Sequence, residues 1–155
     1  LMVRGTLALL LPLFLLTAAT PALAQTKPNP GKAPPPVSGA QPEITGAARP
    51  LSGDLMTISG TRVRLAGIAA PVTGQMCRNR YGHEYDCFRL AVEVLTSLIA
   101  GRDASCTVEG MDRTGLRVAV CRVEGFDLGA AMVARGWAFA YRSLNPDYAT
   151  AEAYA

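Results

Sequence analysis

The sequence predicts a domain of mixed α and β structure in which strands predominate. Residues 61–65 alternate strictly, with Val63 and Leu65 on one face and two arginines on the other, as in a strand buried on one side. Between residues 87 and 99, apolar side chains recur at helical spacing. Further strand-like runs are separated by turns that contain glycine. These three observations favour an α+β fold built mainly from strands.

Two hairpins supply most of the predicted strands. In the first, the Ser59-Gly60 turn joins a strand at residues 51–59 to the strand at 61–65. In the second, strands at 105–109 and 116–123 flank a turn that contains two glycines. Because hairpin partners lie next to each other, each pair would form neighbouring strands of one sheet.

Three helices are predicted, each with a residue that suits its first turn. Asp86 can cap a helix over residues 87–99, whose apolar stripe would cover the sheet. Asp127 can cap a second helix over 128–135, and Pro146 can open a third. The third helical pattern still continues at the last residue given, so we expect the natural chain to extend further.

The first 24 residues predict a secretory signal peptide. Arg4 supplies a positive start, an apolar run follows, and Ala22-Leu23-Ala24 is a small-residue cleavage motif before Gln25. The alternative is a membrane anchor, but the apolar run is too short to span a bilayer comfortably. We therefore expect an exported chain, periplasmic or secreted, with no stable membrane span after cleavage.

The segment at residues 25–50 predicts a disordered linker. It is rich in proline and in small polar residues, and three prolines at 34–36 favour an extended polyproline II conformation. The sequence therefore places the folded domain at residues 51–155. Over that range there are 11 basic residues, all of them arginine, and 11 acidic residues, so the domain is formally neutral. A protein that relies on neutralising phosphates usually carries a basic surplus.

The four cysteines, at positions 77, 87, 106 and 121, predict two disulfides. The count is even, no CxxC motif occurs, and the chain is expected to be exported, which together disfavour a zinc site. Three pairings are possible. We predict Cys77–Cys87 and Cys106–Cys121, since this pairing closes the two shortest loops. The single histidine, His83, is interpreted as a surface residue.

Four stretches, in this order and at these spacings, resemble the staphylococcal-nuclease-like (thermonuclease) family. They are LSGDLMTISG from Leu51, TRVRLAGIAAPV from Thr61, GMDRTGLRVAVC from Gly110 and GFDLGAAMVARGWAFAYR from Gly125. The family reads roughly DGDT, RLxGIDxPE, DRYGR and GxxLNxxMVxxGxAxxY. The resemblance implies a five-stranded barrel of the oligonucleotide/oligosaccharide-binding (OB) type with about three helices. It also implies a calcium-dependent phosphodiesterase that cleaves DNA or RNA.

The resemblance further implies a site of five side chains, of which this sequence retains two. Asp54 stands at the second Asp of DGDT, a metal position, and Arg64 stands at the arginine of RLxGIDxPE. At the other three positions, Ala69 replaces the metal-binding Asp, Val72 the catalytic Glu and Leu116 the last arginine of DRYGR. Three further positions depart from the family's motifs, Ser52 and Leu55 in DGDT and Thr114 in DRYGR. Tyr141 is a loose match to a tyrosine that packs against the nucleotide in the family.

These replacements indicate a pseudoenzyme. Alkyl side chains cannot ligate calcium, accept a proton or donate to phosphate, and members of a catalytic unit do not act independently. We therefore expect no cofactor and interpret the domain as a monomeric binding or interaction module, with nucleic acid suggested as partner by the resemblance alone. The alternative is a calcium-dependent nuclease with a rebuilt site, in which Glu84 or Asp86 replaces a lost carboxylate.

Overall fold

A computed structural model of the chain describes residues 41–155. The elements, in chain order, are β1 (Glu43–Pro50), β2 (Leu55–Ile58), β3 (Thr61–Leu65), β4 (Ile68–Ala69), β5 (Met76–Arg78), β6 (Glu84–Asp86), α1 (Cys87–Ile99), β7 (Asp103–Met111), β8 (Arg117–Val123), β9 (Phe126–Asp127), α2 (Leu128–Ala134), β10 (Phe139–Ala140) and α3 (Pro146–Glu152). In this part of the chain, no helix is both long and apolar enough to cross a membrane.

Five of the strands form a closed barrel. β1 pairs antiparallel with β2 and with β7, and β2 pairs with β3 and β7 with β8 in the same sense. A parallel pairing of β3 with β8 closes the ring. Two further two-stranded sheets lie outside the barrel, β4 with β10 and β5 with β6. The mainly β fold with an OB-type barrel and three helices, which the sequence predicts, is confirmed.

The barrel interior and one face of α1 form the hydrophobic core. Alternate residues of β2 and β3 point inward, and Met56, Ile58 and Val63 are completely buried there. The predicted apolar stripe of α1 packs against them through Ala91 and Leu95. Burial of this apolar surface is the main stabilising term for a domain of this size.

The predicted helix boundaries are confirmed to within a residue. The Asp86 carboxylate accepts a hydrogen bond from the Arg89 N–H at 2.8 Å, and the Asp127 carboxylate accepts from the Ala130 N–H at 3.0 Å. Asp127 also accepts the hydroxyl hydrogen of Tyr148, which ties α3 to the start of α2. Burial and this carboxylate both raise the pKa of Tyr148, so it stays a donor.

β1 corrects the predicted boundary between linker and domain. The sequence predicts a linker over residues 25–50, whereas Glu43–Pro50 pairs with two strands of the barrel. Residues 46–48 have low strand propensity and Pro50 ends the strand, so the local signals favour a linker, but pairing on both sides overrides them. The domain therefore begins at Glu43 or earlier. The predicted signal peptide and the first part of the linker, residues 25–40, lie outside the described residues.

A second correction concerns the strand predicted at residues 51–59. Only Leu55–Ile58 is a strand, and the preceding residues form a bend in which the Leu51 N–H donates to the Leu55 carbonyl at 2.8 Å. Conversely, the polar loop predicted after Pro71 contains the β5–β6 hairpin. The hairpin turn at Ser59-Gly60 lies where it is predicted.

Both predicted disulfides are present. Cys77–Cys87 links β5 to the first residue of α1, and Cys106–Cys121 joins directly opposed residues of β7 and β8. The described part of the chain holds no free cysteine. Two disulfides are compatible with an exported protein.

Candidate functional site

Arg64 lies on β3 with its guanidinium held between two carboxylates. Its Nη1 donates to Oδ2 of Asp54 at 3.0 Å, and its Nε donates to Oδ2 of Asp112 at 3.2 Å. One partner comes from the bend before β2 and the other from the turn between β7 and β8. The two ion pairs engage two of the five N–H donors of the guanidinium. We call these three residues the Arg64 triad.

The bend before β2 places Asp54. Oγ of Ser52 donates to Oδ1 of Asp54 at 2.6 Å, and the Asp54 carbonyl accepts the Leu65 N–H at 2.8 Å. The bend passes so close to its neighbours that a Cβ on Gly53 would lie 2.7 Å from Cβ of Ala70. Glycine is therefore required sterically at this position. The serine that departs from the family's motif acts here as a hydrogen-bond donor to the remaining aspartate.

The turn between β7 and β8 is organised around Asp112. Its Oδ1 accepts hydrogen bonds from the Thr114 hydroxyl at 2.6 Å, from the Thr114 N–H at 2.8 Å and from the Leu116 N–H at 3.1 Å. These bonds, the hydroxyl of Thr114 first, together with Arg64, lower the pKa of Asp112 from 3.8 to about 2. Sequence reasoning assigns Asp112 no role, although an Asp two residues before a Thr in a turn is the signal of such a self-bonded loop.

The positions of the lost catalytic groups lie around the triad but do not face one common space. A cavity of about 270 Å³ is bordered by Asp54, Arg64 and Val72, so the structure brings these three predicted site residues together. Val72 is 68% exposed there. Ala69 instead pairs with Phe139 in the β4–β10 sheet and borders a neighbouring cavity. Leu116 is placed beside the triad only through its backbone bond to Asp112.

The neighbouring cavity, which we call the aromatic cavity, is also about 270 Å³. Its walls include three aromatic side chains that sequence reasoning missed, together with the Cys77–Cys87 disulfide; the aromatic residues are Tyr85, Trp137 and Phe139. Tyr141, the predicted ligand-packing residue, borders neither cavity; its N–H donates to the Gly67 carbonyl at 2.8 Å. The run of alternating aromatic and alanine residues from Trp137 is the signal that could have indicated this wall.

The residues of this site do not fit a calcium ion. Calcium takes six to eight oxygen ligands, and the carboxylates of Asp54 and Asp112 both face Arg64. Across residues 41–155, no cluster of three or more His, Cys, Asp or Glu could hold a metal. The predicted surrogates are engaged elsewhere, since Glu84 pairs with Arg78 at 2.8 Å and Asp86 caps α1.

A closed five-stranded barrel with a helix between the third and fourth barrel strands is an OB-type domain, and the triad lies on its outer face. The family model of staphylococcal nuclease homologues matches residues 62–155. This match covers more than half of the chain, and the chain belongs to that family. No curated protein matches the chain.

Proposed function

We propose that this protein is a non-catalytic member of the staphylococcal nuclease family that acts as a binding module. The observation that carries the proposal is the Arg64 triad. An arginine that would have to bind a phosphoryl oxygen is paired with two carboxylates, and alkyl side chains stand where the metal carboxylate and the water-directing carboxylate would be needed.

Phosphodiester hydrolysis needs three groups that this site does not assemble. A hard cation must neutralise charge, a base must direct water, and cationic forks must stabilise the growing phosphoryl charge. The triad carries one positive and two negative charges, so its formal charge is −1. A phosphate approaching Arg64 would meet two carboxylates at close range, and like charges repel more strongly in a partly buried site than in bulk water. Repulsion therefore adds to the loss of carboxylates at Ala69 and Val72, where the family has a metal ligand and a base.

The aromatic cavity on the same face is better suited to an apolar ligand group. The cavity beside the triad and the aromatic cavity share Ala70 and Pro71, so they adjoin along one surface. Val72 and Phe139 expose most of their side chains at this surface. Concave apolar surfaces with a few polar groups at the edge are the usual ligand sites of folded domains. We infer that an exported, monomeric protein uses this face for recognition.

A nuclease assay with a matched arginine variant tests the proposal. Purified mature protein should cleave single-stranded DNA no faster with millimolar calcium than with a chelator. Cleavage that requires calcium and is lost in Arg64→Ala would establish the alternative, a nuclease with a rebuilt site. Cleavage that is equal in both proteins would identify a contaminating enzyme, since the triad could not be its source.

Calorimetry tests the metal directly. Titration of the wild-type protein with millimolar calcium should give no specific heat, because the site offers no free cluster of carboxylates. A saturable signal with a micromolar dissociation constant would overturn the non-catalytic interpretation even if no cleavage were detected.

A further inference from the structure

The two disulfides differ in their access to solvent. Cys106 and Cys121 are completely buried inside the barrel. Cys77 is partly exposed, and its bridge to Cys87 forms part of the wall of the aromatic cavity. Because thiol–disulfide exchange requires direct attack on a sulfur atom, accessibility separates the two bridges kinetically.

Apart from the chain itself, which continues from β6 directly into α1, the Cys77–Cys87 bridge is the covalent link that holds β5 to the start of α1. Along the chain from Val72 to Glu84, every residue except Cys77 is exposed, so the hairpin buries little apolar surface of its own. Among residues 41–155, β5 and β6 pair as strands only with each other. The Phe88 N–H of α1 donates to the Gln75 carbonyl just before β5 at 3.4 Å, and Asp86 of β6 caps the helix. Segments with few buried contacts open at low free-energy cost.

We propose that Cys77–Cys87 is a redox-active disulfide that exchanges with an external dithiol and, once reduced, releases the β5–β6 hairpin from the aromatic cavity. Gln75, Cys77 and Tyr85 form the hairpin side of that cavity, so their release removes one of its walls. The consequence for ligand binding rests on the proposed function, whereas the exchange reaction and the release of the hairpin do not.

The reaction balances with a dithiol as reductant. One thiolate of the dithiol attacks Sγ of Cys77, because Cys87 is 1% exposed, and the protein S–S bond breaks as a mixed disulfide forms. Cys87 leaves as a thiolate at the first position of α1, where backbone N–H groups favour the anion. The second thiol of the reductant then displaces Cys77. Two electrons pass to the protein, the dithiol becomes a disulfide, and its two protons end on Cys77 and Cys87.

In the reduced state, a backbone carbonyl can accept a hydrogen bond from the buried Cys87 thiol. Sγ of Cys87 lies 3.3 Å from the carbonyl oxygen of Gln75, which can accept a hydrogen bond from the S–H once the bridge is open. Trp137 lines the cavity and is the only tryptophan of the chain, so tryptophan fluorescence reports on the cavity. Disulfide sulfur quenches indole emission on close approach, so loss of the bridge and of the hairpin should change the emission of Trp137.

The experiment follows reduction of the native wild-type protein by dithiothreitol. Thiols are trapped by alkylation over time and located by peptide mass mapping, while Trp137 emission is recorded in parallel. We expect Cys77 and Cys87 to be alkylated at least about tenfold faster than Cys106 and Cys121. Trp137 emission and tryptic cleavage after Arg78 should both rise with the fast phase, and the far-ultraviolet circular dichroism of the barrel should persist.

The variant Cys77→Ala/Cys87→Ala provides the matched control. Without reductant it should already show the high emission and rapid cleavage after Arg78, and dithiothreitol should change neither. Simultaneous alkylation of all four cysteines, or fast alkylation of Cys77 and Cys87 with unchanged emission and cleavage, would overturn the proposal. Because these results require no ligand and no nuclease substrate, they stand apart from the tests of the proposed function.

Discussion

Restoring the three lost groups should give this protein a calcium-dependent nuclease activity. The triple variant Ala69→Asp/Val72→Glu/Leu116→Arg returns the family's side chains to these positions, of which Val72 borders the cavity of Arg64 and Ala69 borders the adjoining aromatic cavity. Val72 is 68% exposed, so Val72→Glu should alter the free energy of unfolding by no more than about 0.5 kcal/mol, whereas Ala69 and Leu116 are only partly exposed and a charge at either should cost more. Circular dichroism should therefore establish that the variant is folded before its activity is measured.

The calcium affinity of the triple variant should be low, because the site supplies few ligands. Asp54 and the two introduced carboxylates would supply at most three metal-binding side chains, far fewer ligands than a complete calcium loop supplies, and residue 69 borders the adjoining cavity. The dissociation constant should therefore fall near 10⁻³ to 10⁻⁴ M, about the range of weak extracellular sites. Calcium bound to Asp54 would also compete with Arg64 for that carboxylate, which now lies 3.0 Å from the guanidinium. Loss of this ion pair would leave more donors of Arg64 free for phosphate.

Cleavage of single-stranded DNA with and without calcium is the assay, and calorimetry reports the metal. Each single substitution should remain inactive, because the groups act as a unit. The triple variant that also carries Arg64→Ala is the matched control and should bind calcium without cleavage. A folded triple variant that binds calcium but shows no cleavage would contradict the role assigned to Arg64. One that does neither would show that residues 69, 72 and 116 are not the lost positions.

Three further predictions concern the supports of the site. The pKa of Asp112 is lowered from 3.8 to about 2 in the folded state, so its carboxylate stabilises the fold above pH 3.8 and this stabilisation is lost as pH falls to about 2. Asp112→Asn should remove that stabilisation. Acid titrations of the variant and the wild type by circular dichroism should therefore differ above this pH window and converge below it. Gly53→Ala should destabilise the fold by about 1–3 kcal/mol in urea denaturation, because its Cβ would overlap Ala70. Gly110→Ala, with no positive φ and nothing within 4 Å of its Cβ, is the control for an added methyl group, and equal midpoints for the two variants would contradict the close approach. Complete reduction under denaturing conditions, followed by refolding, should lower the melting temperature. The Cys106–Cys121 bridge closes a loop of 15 residues, which should contribute up to about 3 kcal/mol to the free energy of unfolding. An unchanged melting temperature would refute that contribution.

Local signals explain what the sequence predicts well. α1 is predicted almost to the residue because its cap at Asp86 and its apolar stripe are both encoded within the helix. The disulfides follow from a count of four cysteines and two short loops. β1 is missed because its strand character comes from pairing with β2 and β7, not from its own glycine, alanine and proline residues.

The site is less predictable because its contacts join distant parts of the chain. The sequence identifies Arg64 and Asp54 through motifs, but it cannot show that the arginine is paired on both sides. Asp112 is 48 positions away from Arg64, and only the closed barrel brings them together. The aromatic cavity cannot be predicted for a similar reason, since Tyr85 and the Cys77–Cys87 bridge lie 50 or more positions before Trp137 and Phe139, and only the fold brings them together.

The parallel pairing of β3 with β8 has a consequence for the order of folding. Two pairings of the barrel, β3 with β8 and β1 with β7, join strands that are far apart in sequence, and each must close a long chain segment that includes α1. Contacts of such high contact order carry a large loop-closure entropy and form slowly. The bond from Arg64 to Asp112 joins residues 48 positions apart, so the triad should assemble with closure of the barrel rather than with the local hairpins. Formation of the ion pairs of Arg64 would then report barrel closure during folding, independent of any ligand.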